Sequence, residues 1–232
     1  MANDDNNRSR LPVLLKDVDK NYDKPERRND LVPAEKYDTV DKLAGNAVKL
    51  GTNGVAYVPE DVFPTIFGLT KPKAAYVYEN QIPDSDKRDF NGQPYAHSAS
   101  VVGLLDKKAQ EVRNADTQAI LQYSRDTLLN ISDSPQAQEL RRQCDTFTKR
   151  ELPKLRAARG ADNDELIDEP LRKGAAFHHV NPKEIHTDPE DALNPDKGRN
   201  VNSDSHGEVH RENINDEKQF DAYKNSKKRS KA

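Results

Sequence analysis

Histidines are crowded into one part of this chain, and their spacing constrains how that part can fold. Five of the six histidines lie between residues 178 and 210, and His206 and His210 are four residues apart. If Ser203 or Asp204 caps a helix there, the two imidazoles lie on one helix face about 6 Å apart and can bind one divalent ion. Histidine is both a common metal ligand and a general base near neutral pH, so this crowding indicates a site.

A second pattern precedes this helix. The pair His178-His179 follows an apolar run and comes shortly before Pro182. This order predicts a short strand that ends at the proline, because proline cannot donate to a β-ladder. Neighbouring strand residues point to opposite faces, so one ring can bind a metal while the other stays available. Turn residues at 194–198 then predict a second short strand at 199–202, followed by the helix with the HxxxH pair.

A strand that ends in two histidines, a loop and an HxxxH helix resembles the HNH, or ββα-metal, nuclease superfamily. The pattern is most similar to the nuclease domains of DNA-cleaving bacteriocins, and it covers residues 174–215. The resemblance implies that His178, His206 and His210 hold one divalent metal ion. It also implies that His179 is the general base that activates a water molecule.

The same family uses an asparagine to orient the general base, and the candidate in this chain is Asn200. The family's asparagine lies farther upstream of the first histidine of the HxxxH pair than Asn200 does. Asn194 and Asn202 therefore stay open as alternatives for this role.

The residue types suit phosphodiester hydrolysis. A neutral imidazole can take a proton from water, and a cation can neutralise charge on the departing oxygen. A site with three imidazole ligands keeps open coordination positions, as a catalytic metal site requires. Imidazole suits Zn, Ni, Cu or Fe better than Mg, and Mg, Zn, Ni and Mn are all retained as candidates for the ion. A structural metal site and a cluster without metal are the alternatives.

Composition limits the core and the environment of the protein. Hydrophobic and charged residues each make up 33% of the 232 residues, which predicts a small core. The net charge of −3 gives no overall attraction to nucleic acid, so DNA binding would need a local basic patch. The single cysteine, Cys144, excludes an internal disulfide. Met1–Arg10 lacks the apolar segment of a secretory signal, and no apolar run is long enough for a membrane span, so we expect a cytoplasmic protein.

The pattern along the whole chain predicts an α+β protein. Its expected parts are a polar segment at 1–36, a mainly helical domain with short strands at 37–160, a linker at 161–173, the ββα-metal module at 174–215 and a basic tail at 216–232.

Within the helical domain, apolar residues at helical spacing predict helices near 38–50 and 59–69 and a long helical stretch from residue 98. The alternating tyrosines at 74–78 predict a strand. Residues 79–97 are rich in Asp, Asn, Gln, Pro and Gly and predict a loop. For the apolar residues at 11–15 the sequence leaves three alternatives open: docking on another part of this chain, docking on a partner protein, or no docking.

The resemblance to HNH nucleases implies a metal-dependent endonuclease that hydrolyses DNA, with His179 and Asn200 as its catalytic residues. The additional N-terminal domain predicts an effector held by a larger protein partner, in an antiphage defence system or as a toxin with an immunity protein. The alternative is a non-catalytic, metal-stabilised binding or assembly subunit, in which residues 37–150 form the assembly surface.

Overall fold

A computed structural model describes residues 13–30, 32–181 and 189–230. The protein has an α+β fold, which confirms the predicted class. The chain divides into two compact units, the first at Leu14–Gln143 and the second from Cys144 onward. Within the described ranges, no helix has the length and apolar character that a bilayer crossing needs. Leu11, Pro182 and His186, which entered the sequence predictions, lie outside the described residues.

The first unit is built on one antiparallel sheet whose strand order is β1-β2-β3-β5-β4. Its strands are β1 (Leu15–Lys16), β2 (Lys49–Gly51), β3 (Ala56–Pro59), β4 (Lys87–Phe90) and β5 (Gln93–His97). Its helices are α1 (Ala34–Ala47), α2 (Phe63–Ile66), α3 (Lys71–Gln81), α4 (Ser98–Glu111), α5 (Ala115–Ser132) and the first turns of α6 (Pro135–Arg159). Buried side chains from the sheet and these helices form its core, among them Leu50, Val58, Phe63, Leu105 and Leu128.

The strand predicted at 74–78 is wrong, because these residues lie inside α3. Pro72 lies in the first turn of this helix, where the missing N–H costs no intrahelical hydrogen bond. The buried residues of α3 are Ala74, Val77 and Tyr78, which have helical spacing. Burial of this one helix face therefore outweighs the strand preference of the tyrosines.

The loop predicted at 79–97 is also wrong, because it contains the hairpin of β4 and β5. Phe90 pairs with Gln93 across a turn of two residues, Asn91 and Gly92. Both turn residues have positive φ, 56° and 80°. Asparagine and glycine tolerate this backbone conformation, and a two-residue turn of this kind matches the twist of the strands it joins.

The second unit contains the rest of α6 and the ββα arrangement. Its further elements are β6 (Ala176–His179), α7 (Pro189–Ala192), β7 (Gly198–Val201), α8 (Ser203–Arg211) and α9 (Glu217–Ser230). β6 and β7 form a two-stranded antiparallel sheet, in which His179 lies opposite Gly198. The predicted order of strand, turn, strand and HxxxH helix is confirmed.

A small hydrophobic core supports these elements. It contains Leu166, Val180, Val201, Val209, Ile214 and Phe220. Leu166 belongs to the segment that the sequence predicts as a linker. In the same segment the buried Asp164 accepts hydrogen bonds from the backbone N–H groups of Asn202 (2.7 Å) and Leu166 (2.8 Å). Residues 161–173 therefore help to hold β7 in position.

Candidate metal centre and adjacent histidine

The structure brings the three predicted metal ligands together. One potential ligand nitrogen each from His178, His206 and His210 lies within 4.8 Å of the others. The His178 ring centroid is 5.4 Å from each of the other two, and these two are 4.5 Å apart. The strand β6 supplies one imidazole, and consecutive turns of α8 supply the other two.

The donor set and its spacing fit one divalent cation. The Nε2 atoms of His206 and His210 are 3.2 Å apart. Two nitrogens on one tetrahedral zinc, each about 2.0 Å from the ion, would be about 3.3 Å apart. His178 is buried, and its Nε2 has no hydrogen-bond partner among the described residues. A buried polar atom without a partner costs about 1–3 kcal/mol, so a bound cation would remove this cost.

Contacts with α9 hold the ligands in place. The ring of Phe220 stacks on His178 with a centroid distance of 6.0 Å and an interplanar angle of 21°. Glu208 comes between the two histidines in the sequence of α8. It accepts a hydrogen bond from the hydroxyl of Tyr223 and forms an ion pair with Lys227. Because Tyr223 and Lys227 both belong to α9, these contacts tie α8 to it.

Burial favours the neutral form of His178 and His206. It lowers the pKa of His178 from 6.5 to about 4, with smaller contributions from the neighbouring His206, His210 and His179. Burial, and next the charge of His210, also lowers the pKa of His206. Metal binding requires the neutral form of imidazole, so at neutral pH His178 and His206 need not lose a proton first.

This pKa difference predicts acid destabilisation of the metal-free protein. An unfolded histidine titrates near its usual pKa of 6.5, whereas folded His178 titrates at about 4. Between these values the unfolded chain binds a proton that the folded chain does not. The contribution of neutral His178 to the free energy of unfolding is therefore fully present above about pH 6.5. It is lost as the pH drops toward 4, which lowers the stability by at most about 3 kcal/mol.

Urea unfolding in EDTA at several pH values measures this loss. The variant His178→Gln cannot titrate at this position, so its stability should fall less between pH 6.5 and 4. Parallel curves for the two proteins would show that His178 does not contribute to the pH dependence. Titrating groups distant from His178 affect both proteins equally.

His179 lies on the opposite face of β6 from His178. Its Nε2 is 2.8 Å from the backbone carbonyl oxygen of Ala192, at the end of α7. A carbonyl oxygen can only accept, so Nε2 must carry the hydrogen, and in the neutral ring the lone pair is then on Nδ1. The ring of Phe177 meets that of His179 edge-on at 5.0 Å. Ala192 therefore fixes the tautomer that a general base acting through Nδ1 requires.

The side chain of Asn200 joins β7 to α6. Its Nδ2 donates to the backbone carbonyl of Arg156 at 2.9 Å, and its backbone N–H donates to the carboxylate of Glu165 at 2.6 Å. Glu165 is itself held by the guanidinium of Arg159 at 2.7 Å. Asn200 shares a sheet face with His179, and its Oδ1 has no hydrogen-bond partner among the described residues. A role in orienting His179 stays a prediction.

The two alternative asparagines also have local hydrogen bonds. Asn194 accepts from the backbone N–H of Asp196 at 3.0 Å. Asn202 accepts from the backbone N–H of Arg172 at 2.8 Å and donates to the carbonyl of Pro170 at 3.3 Å. These bonds hold the turn before β7 and the segment before β6 in place.

Sequence reasoning missed two features beside His179. One is the carbonyl of Ala192, which has no sequence signal because every residue carries a carbonyl. The other is a close backbone approach at Gly198, where a Cβ atom would overlap the ring of Phe177 and lie 2.7 Å from the carbonyl oxygen of His178. The sequence feature that could have indicated this close approach is the position of Gly198 directly after a turn.

The functional inference rests on the sequence pattern and on the geometry of the site. Compared with models of protein families, with curated proteins and with solved structures, the chain gave no match.

Proposed function

We propose that this protein is a metal-dependent endonuclease of the HNH type that hydrolyses phosphodiester bonds in DNA. The main support is the combination of three clustered imidazoles with a fourth, His179, whose tautomer is fixed by Ala192. In this proposal His178, His206 and His210 hold one divalent ion, with Mg, Zn, Ni and Mn as candidates. When bound, the ion supplies positive charge that stabilises the phosphate and the departing oxygen.

His179 acts as the general base in this mechanism. Its Nδ1 takes a proton from the attacking water, while its Nε2–H keeps the hydrogen bond to Ala192. The developing imidazolium strengthens this bond, because a charged donor binds a carbonyl oxygen more strongly than a neutral one. Asn200 keeps β7, the strand paired with the one that carries His179, in position through its hydrogen bond to the backbone of Arg156.

The biological setting is the least direct part of the proposal. We place the protein in the cytoplasm, held by a larger partner in an antiphage defence system or by an immunity protein if it is a toxin. A partner that copurifies in stoichiometric amount would support this setting. A monomer with full unassisted activity would contradict it.

The second candidate is a non-catalytic assembly subunit in which the metal only stabilises the fold. The local hydrogen bonds of the three asparagines support it, since each has a structural role that requires no catalysis. Bound metal without cleavage under any activating condition would select this candidate.

Conversion of supercoiled plasmid DNA to nicked and linear forms tests the leading proposal. We expect cleavage with at least one of Mg, Mn, Ni or Zn, and its loss in EDTA and in the double variant His206→Ala/His210→Ala. His97→Ala is the matched control, because His97 belongs to the first unit and caps α4. Equal cleavage by the double variant, or no cleavage with any ion, would reject the proposal.

A further inference from the structure

A cavity of about 420 Å³ lies beside His179 in the second unit. One wall comes from β6 and the residues before it, including Phe177 and His179. The other wall comes from α6, which contributes Leu152 and Arg156. This helix lies outside the ββα arrangement, and the mechanism proposed above assigns no role to the cavity.

Arg156 differs from the other arginine near the end of α6. Arg159 is bound at 2.7 Å by the carboxylate of Glu165. In the described part of the chain no carboxylate pairs with Arg156, and its guanidinium donates to the backbone carbonyl of Ala175 at 2.8 Å. A guanidinium has five N–H donors, and this bond uses one of them. The side chain of Arg156 is exposed to solvent. Because one bond holds the guanidinium in place and its other donors remain, it can bind an anion.

We infer that Arg156 binds a backbone phosphate of DNA on the same strand as the phosphate that is hydrolysed and a short distance from it. This inference rests on the proposed function, because it takes the cleaved phosphate to lie at His179. Ala175, which anchors the guanidinium, is four residues from His179, or about 13 Å along an extended strand. Arg156 is thus a positioning residue for the neighbouring part of the strand. The planar guanidinium suits a phosphate, which it can bind through two parallel hydrogen bonds.

The cavity suits the part of the DNA strand between the two phosphates. Its volume of about 420 Å³ is within the range of small-molecule sites. Leu152 and Phe177 give it apolar walls, against which a deoxyribose can pack while the phosphates lie beside Arg156 at one end and His179 at the other. The predicted substrate is a polynucleotide, since a mononucleotide lacks the second phosphate position.

Binding of a fluorescein-labelled DNA duplex, followed by anisotropy at several salt concentrations, tests the inference. His179→Ala is the background, so that cleavage does not interfere. We expect Arg156→Ala to weaken binding about tenfold, and to lower the slope of log affinity against log salt by about 0.9, the value for one phosphate contact. Arg156→Lys keeps the charge and should retain the slope.

Arg150→Ala is the matched control on the same helix. Arg150 lies over the ring of Phe147 at 5.1 Å and pairs with Glu151 at 3.3 Å, so its removal should leave affinity and slope unchanged. If Arg156→Ala binds as tightly and with the same slope as its background, the inference is wrong. If Arg156→Ala loses affinity as expected but the wild-type protein never cleaves DNA, Arg156 is a phosphate contact of a DNA-binding protein, and the nuclease proposal fails.

Discussion

Replacing His179 by alanine is expected to abolish DNA cleavage while the metal stays bound. The variant loses the imidazole that takes the proton from water, and general-base catalysis contributes about 100-fold to 10 000-fold to a rate. The three metal ligands are separate side chains, and His179 points to the other face of β6. Plasmid cleavage rates, compared with the metal content of the same samples, measure both expectations.

A structural effect of this substitution must be separated from the chemical one. Alanine also removes the hydrogen bond to Ala192, so a displaced α7 could lower the rate indirectly. His179→Asn can donate to the same carbonyl but cannot act as a base, and it should be as inactive as the alanine variant. Added imidazole should restore part of the activity of His179→Ala. Full activity in either variant without imidazole would exclude His179 as the base.

The local parts of this site could be predicted from the sequence. A separation of four residues places His206 and His210 on one helix face wherever a helix forms. An apolar run that ends in two histidines predicts a strand with rings on opposite faces. Both features depend only on backbone periodicity, so no information from distant residues is needed.

The long-range supports of the site could not be predicted in this way. Asp164 is fully buried and accepts a hydrogen bond from the backbone N–H of Asn202, directly after β7, whereas the nearby Asp162 and Asp168 are exposed. Nothing in composition or spacing distinguishes these three carboxylates. Phe220 is a similar case, because its contact with His178 crosses from the predicted basic tail to the strand β6.

The division of the chain is another long-range property. The sequence places a boundary near residue 160, where glycine and acidic residues follow a basic helix. In the structure the division between the two compact units falls between Gln143 and Cys144, inside α6. A continuous helix gives no composition signal at such a point. The assignment depends on which other residues each half of the helix contacts.

Removing one metal ligand is the second change with a large expected effect. Substitution of groups that only support metal ligands costs about 10-fold to 100-fold in affinity. Loss of a ligand itself should cost at least about 100-fold, and we expect this for both His206→Ala and His210→Ala. Isothermal titration with Zn²⁺, Ni²⁺, Mn²⁺ and Mg²⁺ measures the affinities, with His179→Ala as the variant that should bind normally.

Metal binding should also stabilise the second unit against unfolding. Among the described residues its core has few large buried side chains, so a bound ion would be a substantial part of its stability. A ligand at 100 times its dissociation constant adds about 2.7 kcal/mol, and this gain requires the folded arrangement of all three imidazoles. In calorimetric scans the unfolding temperature should therefore be higher with the ion than with EDTA, both for the wild-type protein and for His179→Ala. For His210→Ala the unfolding temperatures with the ion and with EDTA should nearly coincide. The side chain of His210 is exposed, so its removal does not open the core. If the ion stabilises His210→Ala as much as the wild-type protein, the three imidazoles do not form one metal site, and both the nuclease and the metal-held subunit lose their basis.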